Sequence, residues 1–265
     1  MNVTIGYVPY LNMVPFHQGF GPEPIQEGDI RFQFSQVSPR ALGIDAEEGR
    51  IDAGAMSLVD SFRLADQFEP LGDLGIGVKR AAGSVLVFSK IPLGDLQGMC
   101  AVTDETSTSV RLLQVLLEKR YGRTGVSYGR VASGAVYDGS AEALLLIGDE
   151  ALMARREGVP GLPVVTDLAT DWYAWQGTPF VFARWMVRKK LPEKAKSMLY
   201  SLLEKALKSF VLGTSQVLNE EAIRKGFTPP EIAVYWEGFL FRLTPEHARA
   251  MAAFKELSES VCLTA

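Results

Sequence analysis

Cysteine and histidine are scarce in this chain of 265 residues, which carries two of each: Cys100 and Cys262, His17 and His247. Two cysteines are too few for a disulfide framework, and no metal-ligand spacing surrounds them. Two histidines far apart in sequence speak against a histidine-rich metal site. Positive charge is not in excess either. With 27 basic and 31 acidic residues the net charge is −4, so no basic field gathers a phosphate backbone, and nucleic acid is not an expected partner. Long apolar runs are missing: the longest, Ala143–Ile147, falls far short of the ~20 residues of a membrane span, and no membrane association is expected. The first residues, Val3-Thr4-Ile5-Gly6-Tyr7-Val8, alternate like a strand without the basic and apolar regions of a secretory signal, so a cytoplasmic location is expected. No nucleophile elbow, dinucleotide fingerprint or His-x-x-x-His motif occurs, and no Cys–His pair is expected to lie close. The expectation is therefore a protein without metal or cofactor, working through hydroxyls, amides, a carboxylate and groups on its substrate.

What is present is an ordinary globular composition, 47% hydrophobic and 22% charged. At ~150 residues per domain the length allows one large domain or two lobes, each able to fold without disulfides. Periodicity alternates between strands and helices. Val3–Val8 and Ile30–Val37 read as strands, and Pro15–Gly19 as the start of a short helix. Ser38-Pro39 caps a helix running to about Glu48. A short strand near Ala53–Met56 and a helix over about Leu58–Gln67 follow. Such alternation predicts a mostly parallel sheet covered on both faces. Ser84–Ser89 and Phe180–Val187 are expected to cross between lobes. Between them lie strand Gly98–Thr103, a helix over about Ser109–Arg120, strand Ala143–Ile147 and an irregular aromatic stretch, Leu168–Pro179. The chain then turns helical over Glu193–Leu212, Asn219–Lys225, Pro230–Phe239 and Pro245–Leu257. The expected division is residues 1–88 with 188–265 as one lobe and 89–187 as an inserted second lobe. In this hinged α/β plan a ligand lies in the cleft where strand carboxyl ends meet.

Six segments carry candidate chemistry. In Thr103-Asp104-Glu105-Thr106-Ser107-Thr108-Ser109-Val110, hydroxyl residues Thr106, Ser107, Thr108 and Ser109 stand between a strand and an apolar helical pattern. Free N–H groups and the positive end of the helix dipole favour an anion there; the same residues also suit a plain N-cap. Without lysine or a P-loop pattern, a carboxylate fits better than a triphosphate. Tyr10 and Asn12 lie just beyond the first strand, where an amide can donate and accept toward one ligand, or simply stabilise a turn. Ser57 and Ser84 occupy comparable strand-end positions. In Ile147-Gly148-Asp149-Glu150 the acids either cap the next helix or reach a ligand. Trp172-Tyr173-Ala174-Trp175, with Pro179 after it, forms either a hydrophobic cluster or a wall for a ring-shaped ligand.

Taken in order, Val8-Pro9-Tyr10-Leu11-Asn12, Ser84–Lys90, Thr103–Val110, Ile147–Ala151, Trp172–Trp175 and Pro179–Ala183 resemble the chorismate dehydratases, a family of the futalosine route to menaquinone. The resemblance spans roughly residues 3 to 190. It implies the two-lobed periplasmic-binding-protein-like fold (type 2). It also implies loss of water from chorismate to give 3-[(1-carboxyvinyl)oxy]benzoate, with chorismate as small-molecule partner. The sister 1,4-dihydroxy-6-naphthoate synthases carry a histidine in an Ile-His-Glu context, where this chain has Ile147-Gly148-Asp149-Glu150, and a Pro-Asn-Asp run where it has Tyr10-Leu11-Asn12. Thr106-Ser107-Thr108 departs from the family's Ser-Ala-Thr while keeping small hydroxyl character. Asn12 and Ser84 are expected to be catalytic. Tyr10, Ser57, Thr106, Ser107, Thr108, Ser109, Gly148, Asp149, Tyr173 and Pro179 are expected to bind substrate, in a monomer or homodimer. The proton acceptor stays open between the substrate's own enolpyruvyl carboxylate, His17 and Asp149. A non-catalytic binding protein or sensor for a small carboxylate is the rival reading.

Overall fold

The computed structural model describes residues 1–17, 23–135 and 137–261; the tail of the expected Pro15–Gly19 helix and Cys262 lie outside them. The strands are β1 (Asn2–Tyr7), β2 (Ile25–Glu27), β3 (Ile30–Gln36), β4 (Ala53–Ser57), β5 (Phe68–Val78) and β6 (Val85–Ser89). They continue as β7 (Met99–Thr103), β8 (Ser127–Val131), β9 (Ala143–Ile147), β10 (Val164–Asp167), β11 (Phe180–Arg188) and β12 (Phe239–Arg242). The helices are α1 (Val14–His17), α2 (Pro39–Glu47), α3 (Leu58–Arg63), α4 (Thr108–Val115) and α5 (Gly148–Glu157). They end with α6 (Leu168–Gln176), α7 (Glu193–Lys225), α8 (Pro229–Glu237) and α9 (Pro245–Glu259).

Two units result. The first comprises Met1–Ile76 and Ala183–Arg242. Its seven-stranded sheet has the order β12-β5-β11-β4-β1-β3-β2, with β1 parallel to β3 and β4 and with β11 antiparallel to β4. β4 is buried at every position, as a strand covered on both faces must be. α2 starts at Ser38, whose hydroxyl accepts from the Ala41 N–H, and at Pro39 in the first turn. It lies so close to the sheet that a Cβ on Gly54 would stand 2.9 Å from Leu42 Cδ1; the sheet positions under α2 admit only glycine without repacking.

The second unit comprises Gly77–Phe182 and the segment from Leu243 through α9. Its five-stranded sheet has the order β10-β6-β9-β7-β8. β7 runs parallel to β8 and β9, while β6 is antiparallel to β9 and β10. Leu86, Phe88, Ala101, Leu144, Leu146, Ala151 and Leu162 form a buried core on it.

Five differences from the sequence reading matter. β6 lies wholly inside the second unit; the chain first passes between units within β5, after Ile76. α9 packs in the second unit rather than with the first, because Phe254 joins the aromatic cluster of Trp172 and Phe180 at 5.8 and 5.0 Å between ring centroids. The stretch Leu168–Pro179 is not irregular: Leu168–Gln176 is helical, capped by Asp167 at its start and by left-handed Gly177 at its end. The helix from Leu58 ends at Arg63, and the two helices expected over 193–225 are continuous except for a non-helical Gly213.

Candidate functional site

In the first unit, β1 and β4 are parallel neighbours, so Tyr7 and Ser57 leave the sheet at the same edge. Beyond Tyr7 the chain enters a 3₁₀ turn over Leu11–Met13 and then α1. Three bonds hold this turn. The Trp236 indole N–H donates to the Leu11 carbonyl at 2.7 Å, the Lys225 ammonium donates to the Pro9 carbonyl at 3.0 Å, and the Met13 N–H donates to the Tyr10 carbonyl at 2.9 Å. On the held turn, Asn12 Oδ1 is shielded from solvent and has no hydrogen-bond partner among the described residues. Buried polar atoms are rarely left so, and an acceptor kept this way fits a ligand donor. Tyr10, half-buried, opens the same turn.

Ser57 has a different occupation. It is buried, donates to the Asp60 carboxylate at 2.6 Å and accepts the Asp60 N–H at 3.2 Å, which caps α3. His17, at the end of α1, packs edge-on to Tyr7 with ring centroids 4.3 Å apart. Burial pushes its imidazole down to about 3, so the ring is neutral near pH 7.

In the second unit, β7 and β9 are parallel neighbours, and Val85 pairs with Ile147 across antiparallel β6 and β9. Ser84, Gly148 and the start of the 106–109 run therefore share one sheet edge. Gly148 turns there in the left-handed region, φ +60°, which glycine adopts freely, and its N–H donates to the Ser84 carbonyl at 2.8 Å. Ser84 itself is buried.

The hydroxyl run divides its labour. Thr106 Oγ1 accepts the Ser109 N–H at 3.2 Å and donates to Ser109 Oγ at 3.3 Å, so the Thr106 hydroxyl caps the helix start and Ser109 steadies it. Thr108 is fully buried, whereas Ser107 is half-exposed and caps nothing. Asp149 and Glu150 begin α5, which has no side-chain cap. Glu150 turns instead to the Ser133 hydroxyl and the Gly134 N–H, at 3.2 and 3.0 Å. Trp172 is core, its indole N–H donating to Thr178 Oγ1 at 3.2 Å. Tyr173, next to it, is half-buried, and Pro179 is buried ahead of β11.

Two further groups at this edge escaped the sequence reading. The Asp167 carboxylate accepts from Ala82 and Gly83 N–H groups at 3.0 and 2.7 Å, and from Ala169 and Thr170 N–H groups, both at 3.0 Å. One side chain thus pins the loop before Ser84 and caps α6; only an aspartate ahead of Leu168-Ala169-Thr170 hinted at it. The Arg80 guanidinium lies over the Tyr173 ring, 4.9 Å from its centre. No group of three or more His, Cys, Asp or Glu able to hold a metal occurs among the described residues, and no helix of theirs is long and apolar enough to cross a membrane.

A family pattern described as menaquinone biosynthesis matches residues 3–260. The chain belongs to this menaquinone biosynthesis family. Within reach of the family match, the chain is 28% identical to a chorismate dehydratase of Thermus thermophilus over 96% of this chain and 94% of that one. A chorismate dehydratase of Campylobacter jejuni is 24% identical over 98% of this chain and all (100%) of that one. Among solved structures, protein AF1704 of Archaeoglobus fulgidus superposes with a TM-score of 0.76 at 14% identity, covering 98% of this chain and 97% of that chain. The periplasmic aliphatic sulphonate binding protein of Escherichia coli gives a TM-score of 0.64 at 17% identity, covering 97% and 85%. The fold is that of the periplasmic binding proteins, as expected from the motifs.

Proposed function

We propose that this member of the menaquinone biosynthesis family is a chorismate dehydratase, a hydro-lyase that makes 3-[(1-carboxyvinyl)oxy]benzoate and water. The observation that carries the reading is Asn12: a buried acceptor without a partner, on a turn fixed by Trp236 and Lys225, in a chain similar over nearly its whole length to two chorismate dehydratases.

In the reaction the C3–H bond and the C4–O bond break, and the C3–H electron pair becomes ring π-bonding as the ring turns aromatic. The proton and the departing hydroxide leave as water. Asn12 Oδ1 accepts from the C4 hydroxyl and its amide N–H groups donate to the enolpyruvyl carboxylate, which hangs from C3 beside the proton to be removed. That carboxylate takes the proton. His17 serves this step poorly: an imidazole whose conjugate acid sits at about 3 is a weak base near pH 7, far from the matched value that general-base catalysis favours. Ser84 orients the substrate, and Ser107 with the N–H groups opening α4 takes a carboxylate.

Incubating purified protein with chorismate and following mass is the test; a product lighter by one water is expected. Asn12→Ala should lower kcat at least about a hundredfold by loss of near-attack geometry, while His17→Gln keeps most of it. Chorismate recovered unaltered, yet raising the melting temperature, would instead support a binding protein. A single substitution, His17→Gln or Asp149→Asn, that abolishes turnover with normal binding would retire the substrate's carboxylate as the base.

A further inference from the structure

The substrate in the reading above carries two carboxylates, and the 106–109 run contains no cation to meet either of them. Arg80 has the attributes such a contact needs. It is exposed, and among the described residues no carboxylate pairs with it; Arg120 and Arg123 of the same unit, by contrast, are paired with Asp171 at 3.1 Å and Asp95 at 3.6 Å. Its guanidinium lies over Tyr173, 4.9 Å from the ring centre. Stacking of this kind occupies a face of the planar group and leaves N–H donors at its edge for a bidentate carboxylate.

Both halves of the pair are also held. Asp167 accepts the Ala82 and Gly83 N–H groups that follow Arg80, and equally the Ala169 and Thr170 N–H groups that open the helix bearing Tyr173. One carboxylate therefore fixes the loop that presents the cation and the helix that presents its platform. Ser84, four positions after Arg80, lies at the end of that same loop.

We propose that Arg80, laid on Tyr173, is the group that selects a dicarboxylate: it binds the carboxylate that the 106–109 run does not hold. This rests on the dehydratase reading for the identity of the ligand, not for the geometry. The guanidinium supplies binding and orientation and takes no part in proton transfer.

Steady-state turnover of chorismate, together with calorimetric binding, tests it. Arg80→Gln should raise KM and Kd about tenfold to a hundredfold, the loss expected for a charged hydrogen-bonded pair, with kcat changed far less and the melting temperature unmoved. Arg80→Lys should fall between, since an ammonium keeps the charge without the fork. Tyr173→Leu, which removes the ring face under the guanidinium, should raise KM. Lys79→Gln, one residue away and equally exposed, should change nothing. A KM and Kd for Arg80→Gln within twofold of wild type overturn the proposal, as does an equal effect of Lys79→Gln, which would mean a diffuse field. Binding without turnover by the wild type defeats the dehydratase reading alone, and the Kd comparison still decides Arg80. Protein that neither binds nor converts chorismate defeats both.

Discussion

Asn12 and His17 stand at two ends of one short, anchored segment, and both keep polar atoms away from solvent. Their chemistry separates them. An amide has no charge to lose, so burial leaves Asn12 a ready hydrogen-bonding group. An imidazole answers burial by giving up its proton, and His17 settles as a neutral ring among Tyr7 and Trp185. This has a consequence for acid stability. The folded value of about 3 lies below the ~6.5 of an unfolded histidine, so between these values the unfolded chain binds the extra proton. Stability is complete above ~6.5 and falls as pH drops toward 3, by up to ~1.4 kcal/mol per pH unit. Melting temperatures of wild type and His17→Gln should therefore converge as pH is lowered from 7.5 to 5; parallel curves would show that His17 is not held neutral. The hydroxyl run separates in the same way. Thr106→Ala should cost about 1 kcal/mol of stability through the lost cap, and Ser107→Ala should raise KM with the melting temperature unchanged.

At the level of elements, the sequence is legible where a segment's own pattern decides its structure. β4, β7 and β9 read out because they are buried along nearly their whole length, β1 and β3 because buried positions alternate with more exposed ones along most of each, and α2 because Ser38-Pro39 marks its start. β5 was illegible: Pro70, Gly72, Gly75 and Gly77 break every strand pattern in it, and its neighbours in the sheet supply the reason it is extended. β8 and β10 are short edge strands whose pairing partners are distant. α6 hid because its apolar residues lie all round it and leave no stripe. The candidate site divides likewise. Ser84, Gly148 and the hydroxyl run follow from strand-end logic. Asp167 does not, since its partner Ala82 is 85 positions away, and nothing local shows that β10 lies beside β6. Its importance can be measured. Asp167→Ala removes the acceptor of four N–H groups and should cost ~2–4 kcal/mol in denaturant unfolding, with kcat falling as the Ser84 loop loosens; Asp167→Asn, which keeps one acceptor oxygen, should lose less of both. Wild-type stability in the alanine variant would remove Asp167 from this role.

On the scale of the whole molecule, the chain passes between its two units after Ile76, after Phe182 and after Arg242. The last passage gives the C-terminal helix to the second unit, although the first supplies all of the chain from Ala183 to Arg242. The reason is aromatic packing. Phe254 is fully buried, meets Trp172 and Phe180 edge-on, and so closes the core behind the helix that carries Tyr173. Truncating such a ring leaves a cavity that the surroundings fill only in part, at a cost of ~3–5 kcal/mol. Phe254→Ala should therefore weaken the second unit selectively. Amide exchange should rise in β6, β7, β9 and α6, with β1, β3 and β4 keeping their protection, because the two cores are built from separate sets of side chains. Chorismate binding should fall with the second unit, since Ser84, Ser107 and Arg80 all belong to it. Faster exchange spread evenly over both units would mean that they unfold as one cooperative body. Faster exchange confined to β1, β3 and β4 would return α9 to the first unit.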